Sequence, residues 1–257
     1  MLLVVLASAV FAANAFALQA GEKEVDITLT QSYASRYIWR GQDLFATHDG
    51  AYQPSVDVSV PEAFSGIDLG LNVWASIPTN RGHEDAEEVD YTFTLAKDVL
   101  DDNFNVALSF IYYDFPNTAS TADVSEPGLT ITLNKIPHLP IDISMFVFAA
   151  YDFKARSGGP DEGWYFSWGF DAELDLPNFA IFQDEQTLAL GIVNWGNDGV
   201  ADLDPDTLYA TEFSAATSYT FGNFTFTPNL HYALNYNENI NDGNDEIWGG
   251  LEVSYTF

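Results

Sequence analysis

The sequence predicts an all-β chain, an antiparallel up-and-down β-barrel of about twelve strands that crosses a membrane. Three observations predict it. Apolar and polar residues alternate with period two along most of the chain, the mark of strands with one greasy and one polar face. Long and short connections follow one another in turn, as in barrels with long external loops and short periplasmic turns. The apolar faces carry almost no charge, which contact with lipid demands.

Composition excludes several other classes. The 257 residues include 38 acidic and 8 basic side chains, a formal charge of −30, yet 15% are aromatic. Acidic disordered chains lack that many large apolar groups. Nucleic acid is not an expected partner, because such a surface repels phosphate rather than releasing its counterions. With no Cys, disulfide scaffolds, thiolate metal sites and cysteine nucleophiles are out.

Taken in order, the chain opens with an apolar run from Leu2 to Phe11 and then small residues ending Ala15-Phe16-Ala17. This is an h-region with an A-x-A cleavage site, so residues 1–17 are expected to be a cleaved signal peptide and 18–257 the barrel. The usual positive n-region is missing. An anchor helix is the other reading, but about 17 apolar and small residues barely span a bilayer.

Twelve strands follow, near 25–39, 52–60, 66–76, 88–97, 103–113, 128–133, 141–151, 163–175, 187–195, 207–219, 224–236 and 246–257. Ile67-Leu69-Leu71-Val73, Trp164-Phe166-Trp168-Phe170 and Leu251-Val253-Tyr255-Phe257 show the alternation well. About 20 residues per strand and connection suits a tilted membrane strand of about 10 residues plus its loop. Connections after strands 2, 4, 6 and 10 are short (Pro61–Ser65, Asp98–Asp102, Asn134–Pro140, Thr220–Asn223). Leu176–Gln186 is long where a short turn is expected.

A soluble barrel alternates too, so the direction of the apolar face must be decided. The chain ends Val253-Ser254-Tyr255-Thr256-Phe257, and Tyr255 and Phe257 resemble the C-terminal assembly signal of bacterial outer-membrane barrels. Aromatics cluster near strand ends, at Tyr37/Trp39, Tyr112/Tyr113/Phe115, Tyr151/Phe153, Trp164, Tyr219/Phe221 and Tyr255/Phe257, as interfacial girdles require. Leu69, Phe93, Phe166 and Val253 should therefore face lipid.

The segment Ser32 to Gly41, with Tyr37-Ile38-Trp39-Arg40-Gly41 at its end, resembles the opening of the TorF family of porins. Further matches follow in order: Gln53 beside a proline, Gly66-x-x-x-Gly70-x-x-x-Trp74-x-Ser76, and Glu88-x-Asp90. The resemblance covers roughly residues 30–92. Pro54 departs from it, since small residues are commoner there. It implies an outer-membrane barrel of the porin type.

Parity places Arg36 and Arg40, at the top of strand 1, on the lumen side. They fit either a cationic patch facing lumen carboxylates or an Arg–carboxylate network closing strand 1 against strand 12. Asp57, Asp68, Asp90, Asp142, Asp171, Glu173, Glu212, His231 and Glu252 fall on the same inner face as candidate pore-lining groups, and their excess of negative charge predicts weak cation selectivity. Phe146, Phe148 and Trp248 also fall inward and are candidates to narrow the lumen.

Asp202, Asp204 and Asp206 have the spacing of a calcium loop without its Gly or distal Glu, and Asn237–Glu246 is similarly incomplete. No nucleophile–base pair is evident around the four His, so no enzyme and no cofactor are expected. The reading is an outer-membrane channel of a Gram-negative bacterium for small hydrophilic solutes. Expected partners are membrane lipid, lipopolysaccharide and the barrel assembly machinery. The alternative is a filled surface barrel whose acidic loops bind divalent cations, lipopolysaccharide or a partner.

Overall fold

A computed structural model describes residues 23–45, 49–80, 82–118, 122–139, 141–154, 162–176, 186–200 and 207–257. The leader, residues 177–185 and the triplet Asp202, Asp204 and Asp206 lie outside them. Twelve barrel strands are present: β1 (Asp26–Ala34), β2 (Ala51–Phe64), β3 (Ile67–Pro78), β4 (Glu88–Val99), β5 (Phe104–Asp114) and β6 (Val124–Leu133), then β7 (Asp142–Lys154), β8 (Gly163–Leu176), β9 (Gln186–Asn197), β10 (Thr207–Thr217), β11 (Phe224–Asn235) and β12 (Glu246–Thr256). After Ser218, β10 resumes as Tyr219–Phe221 against β11.

Each strand pairs antiparallel with its neighbours in sequence. The sheet closes where β1 meets β12, from Thr28 opposite Thr256 to Ala34 opposite Gly250. Closure removes both edges, so the strands satisfy their backbone groups on one another without water.

Which face touches hydrocarbon is settled along β8. Trp164, Phe166 and Trp168 are 49%, 40% and 43% exposed, while Tyr165 and Ser167 between them are 1% and 3% exposed. Phe93, Leu108, Phe110 and Leu230 are likewise exposed on the outer wall. Phe93 and Phe166 therefore face outward, as the sequence predicts, and do not meet in a central core.

Outward aromatics ring both ends. Tyr151 contacts Phe153 and Trp164 at 4.6 and 5.2 Å near the external end, and Tyr255 contacts Phe224 and Phe257 at 4.8 and 4.7 Å at the other. The terminal residue is tied in, its N–H donating to the Ile27 carbonyl at 3.0 Å. Leu108→Arg, on the lipid face of β5, is expected to cost about 2–4 kcal/mol near the bilayer midplane. Equilibrium unfolding of barrels folded into vesicles measures it.

Three sequence expectations need correction. Strand 1 stops at Ala34 rather than near residue 39, because the chain turns into the barrel there. Strand 6 begins at Val124 rather than 128: Pro127 sits in the sheet opposite Phe110, on the outward face beside Leu129. The turn expected at Pro61–Ser65 shrinks to Ser65-Gly66, since β2 runs on to Phe64 through a bulge after Val60. Ser65 and Gly66 have φ of 54° and 69°, the positive pair that a two-residue hairpin turn requires.

Candidate functional site

Residues 35–45 leave the wall and fold into the external half of the lumen. Ile38–Trp39 pairs with Gln42–Asp43, and Arg40 and Gly41 make the turn between them with φ of 50° and 83°. Positive φ at both central positions is the geometry of a tight hairpin, in which glycine is unstrained and arginine is not. Close approach fixes the glycine as well: a Cβ on Gly41 would lie 2.7 Å from the Ala210 Cβ. Arg40 is thus not at the top of strand 1 but at the tip of an inserted hairpin.

Aromatic packing carries the segment inward. Tyr37, Phe45 and Ala51 form a buried cluster, with Tyr37 5.2 Å from the Phe45 ring and 5.8 Å from the Trp74 ring. The Tyr37 hydroxyl donates to Glu88; burial and that carboxylate hold the phenol well above its ordinary pKa. Trp39 meets Tyr113 at 6.1 Å and Tyr165 at 5.3 Å, both edge-on. Tyr37, Trp39 and Tyr113, expected in the interfacial girdle, therefore lie inside.

The Arg40 guanidinium sits in this shell, 4.3 Å from the Trp39 ring centre, 4.4 Å from Tyr165 and 5.4 Å from Phe148. It donates to Glu126 Oε1 at 2.7 Å, and the Tyr113 hydroxyl donates to the same oxygen at 3.2 Å. Burial alone would lower its pKa, but Tyr113 and Glu126 outweigh burial and raise it above the ordinary value. Cation–π contacts with desolvated rings contribute up to about 2 kcal/mol each. Removing the guanidinium would strand the Glu126 charge at a cost of about 3–5 kcal/mol.

Loops clamp the hairpin from above. The Asn241 side chain spans it, donating to the Gly41 carbonyl at 2.9 Å and accepting from the Asp43 N–H at 2.7 Å. The segment Asn237–Glu246, read from sequence as an incomplete calcium loop, thus holds the plug; among the described residues no group of three or more acids or histidines is placed to bind a metal. Arg36 pairs with the buried Glu246 at the head of β12. A bulge where Trp195 gives way to Gly196 turns both Tyr209 and Ala210 inward, filling the remaining space against Tyr165 and Ile240.

Below the hairpin the lumen changes character. On β8 the inward residues Gly163, Tyr165 and Ser167 are buried, whereas Asp171, Glu173 and Asp175, on the same face further down, are exposed. Small and polar side chains dominate this lower half, including Thr28, Thr30, Asn72, Thr94, Ser109 and Thr130. Asp57 accepts from Asn72 at 2.6 Å and Ser55 at 3.1 Å. Glu252 lies within electrostatic reach of Asp57. Glu212 bonds His231 Nδ1 at 3.0 Å, and the imidazole stacks on Trp248 at 5.0 Å. The described lysines nearest this half sit at the periplasmic turns, Lys97 donating to the Ser65 carbonyl at 2.9 Å and Lys135 paired with Asp142.

Two expected lumen acids sit at the periplasmic rim: Asp68 accepts the Glu62 N–H at 2.7 Å, and Asp142 pairs with Lys135 in an exposed bridge. Asp90 lies higher, beside Glu88 among the buried groups around the hairpin. Phe148 packs on Arg40, and the Phe146 ring covers Gly169. Ser214 stands opposite His231 in the sheet, but its Oγ lies 2.5 Å from where Gly191 would carry a Cβ, turned toward β9 and away from the imidazole. No nucleophile–base pair forms there.

Sequence reasoning missed Glu126, Asp152 and the aromatic shell around Arg40. The strand signal ahead of Pro127 was the clue to Glu126: the pleat puts Glu126 inward whenever Leu129 and Ile131 face out.

A closed sheet with apolar side chains outside and polar ones within is a transmembrane β-barrel of the outer-membrane type. No family model matches the chain, and no curated protein matches its sequence. Solved structures match its fold. An outer-membrane channel from Pseudomonas putida F1 aligns with TM-score 0.53 at 11% identity, covering 94% of this chain and 97% of that one. NanC porin aligns with TM-score 0.50 at 17% identity over 89% and 98%, and LpxR from Salmonella typhimurium with TM-score 0.54 at 10% identity over 90% and 100%.

Proposed function

We propose that this barrel is an outer-membrane channel for small hydrophilic solutes, with a cation preference and a gate formed by residues 35–45. One observation carries the reading: the periplasmic half of the lumen is solvent-exposed, lined by small polar groups and carboxylates, and the half above it is filled around an inserted hairpin. A barrel serving as a filled surface protein has no need of an acidic, hydrated lower half. Porins among the barrels of like fold support the same class.

Kinship with the TorF family is part of the proposal. The matching residues converge in space, since Tyr37 touches both Trp74 and Glu88 while Arg40-Gly41 forms the tip. The motif thus reads as the hairpin and its receptors rather than as scattered matches. Contact of the acidic loops with lipopolysaccharide phosphates through bridging divalent cations, and recognition of Tyr255 and Phe257 by the assembly machinery, belong to the same reading.

Planar-bilayer recording of the refolded protein tests it. Discrete current steps are expected, with a reversal potential in a KCl gradient of the sign for cation preference. Correctly folded barrels that leave the bilayer silent, with residues 35–45 intact or removed, would overturn it.

A further inference from the structure

A second site lies above the hairpin, at the external mouth. A cavity of about 370 Å³ opens between the hairpin and the loops, bounded by Trp39, Tyr113, Phe115 and Tyr165 and by the acids Glu88 and Asp152. Its other walls are chiefly aliphatic, with Asp85 among them, and among the described residues no Lys, Arg or His lines it. Asp152 is 8% exposed and its Oδ1 has no hydrogen-bond donor. Asp90 Oδ1 and Glu126 Oε2, deeper in the same group, are also buried without one.

Charge counting makes this more than an acidic cluster. Glu126 holds the Arg40 guanidinium with Asp152 beside it, and Glu88 and Asp90 pair with each other next to them, so four carboxyls share one guanidinium, because Arg36 is engaged by Glu246. Buried carboxylates in excess of their counter-charges are costly unless protons or a cation supply the difference. The largely apolar lining does not suit a hydrated inorganic ion, whereas aromatic faces beside carboxylates suit an ammonium group on a hydrocarbon body.

We infer that this cavity binds a small organic ammonium, with the charged nitrogen at Asp152 and Glu88 and the hydrocarbon against the aromatic rings. The inference goes beyond the channel reading and does not depend on conduction, since occupancy is measurable on a barrel that never opens.

Calorimetric titration of the full chain folded in detergent at neutral pH is the test, with benzylammonium as probe and benzyl alcohol and benzoate as uncharged and anionic counterparts. One benzylammonium per barrel is expected, held at least about ten-fold more tightly than either counterpart. Asp152→Asn should weaken it by about ten-fold. Should that variant fold poorly, Ala122→Trp fills the cavity without touching the acids, and is expected to abolish binding. Equal affinity for alcohol and ammonium overturns the inference. So does saturable binding that survives Ala122→Trp, or its absence from wild-type barrel whose folding circular dichroism confirms.

Discussion

Arg40→Ala is expected to raise the unit conductance of the barrel several-fold. The guanidinium is the charged anchor at the hairpin's tip, bonded to Glu126 and enclosed by Trp39, Tyr165 and Phe148. Its loss leaves Glu126 buried beside Asp90 and Asp152 with no positive neighbour, a penalty of about 3–5 kcal/mol on the docked state. Undocking lets water reach those carboxylates and relieves the penalty, so the equilibrium moves toward an open lumen. The wall itself is untouched, since its hydrogen bonds run between strands. A companion variant, Asn241→Ala, removes the two bonds that clamp the tip from above, worth about 1–2 kcal/mol together. It should give the same change in smaller measure, as more frequent transitions rather than a permanently larger current. Unchanged single-channel records in both, with folding verified, would show that the hairpin is not the barrier.

The second large effect concerns selectivity. Twelve strands about 4.8 Å apart and tilted about 40° place the backbone roughly 12 Å from the axis. Side chains narrow this, so a Debye length of about 10 Å at 0.1 M salt carries the wall's field across the whole passage. Replacing Asp57 and Asp171 by Asn, and Glu173 and Glu252 by Gln, is expected to bring the potassium-to-chloride permeability ratio close to unity. The quadruple variant is best read in the Arg40→Ala background, where current is large. At 1 M salt, with screening over about 3 Å, the two backgrounds should converge. A ratio unmoved by the four substitutions at low salt would place the selective element elsewhere, with the acids around the hairpin, Glu88, Asp90, Glu126 and Asp152, the first suspects.

Much of the wall was legible because the pleat has a period of two. Once Phe166 and Trp168 face lipid, Ser167, Asp171 and Glu173 must face inward, and no knowledge of neighbouring strands is needed. Parity also placed Glu212, His231 and Trp248 together on one side, where the structure has them in contact. What parity does not encode is depth. It gives a side chain's face, not whether something fills the space in front of it, so buried Tyr165 and exposed Asp171 looked alike.

The hairpin was misread for a related reason. Tyr33, Tyr37 and Trp39 continue the odd-numbered aromatic rhythm of strand 1, so the alternation of the small hairpin ran on from that of the wall without a seam. Arg40-Gly41 was the break in that rhythm: glycine after a polar residue is the tight-turn signal. Glu126 was lost because Pro127 was read as the end of a loop, although proline is tolerated where its missing N–H leaves the ladder intact.

The hairpin also orders events in time. It follows β1, yet its partners come late in the chain: Glu126 is 86 residues away and Asn241 is 198 from Asp43. Contacts that distant in sequence form only after the intervening chain has been arranged. The wall must therefore circle shut as an empty ring, with the tip still loose in water, and the filling settles last. On the channel reading proposed above, a newly closed barrel is expected to leak more than a mature one, for an interval set by how quickly one arginine finds its glutamate.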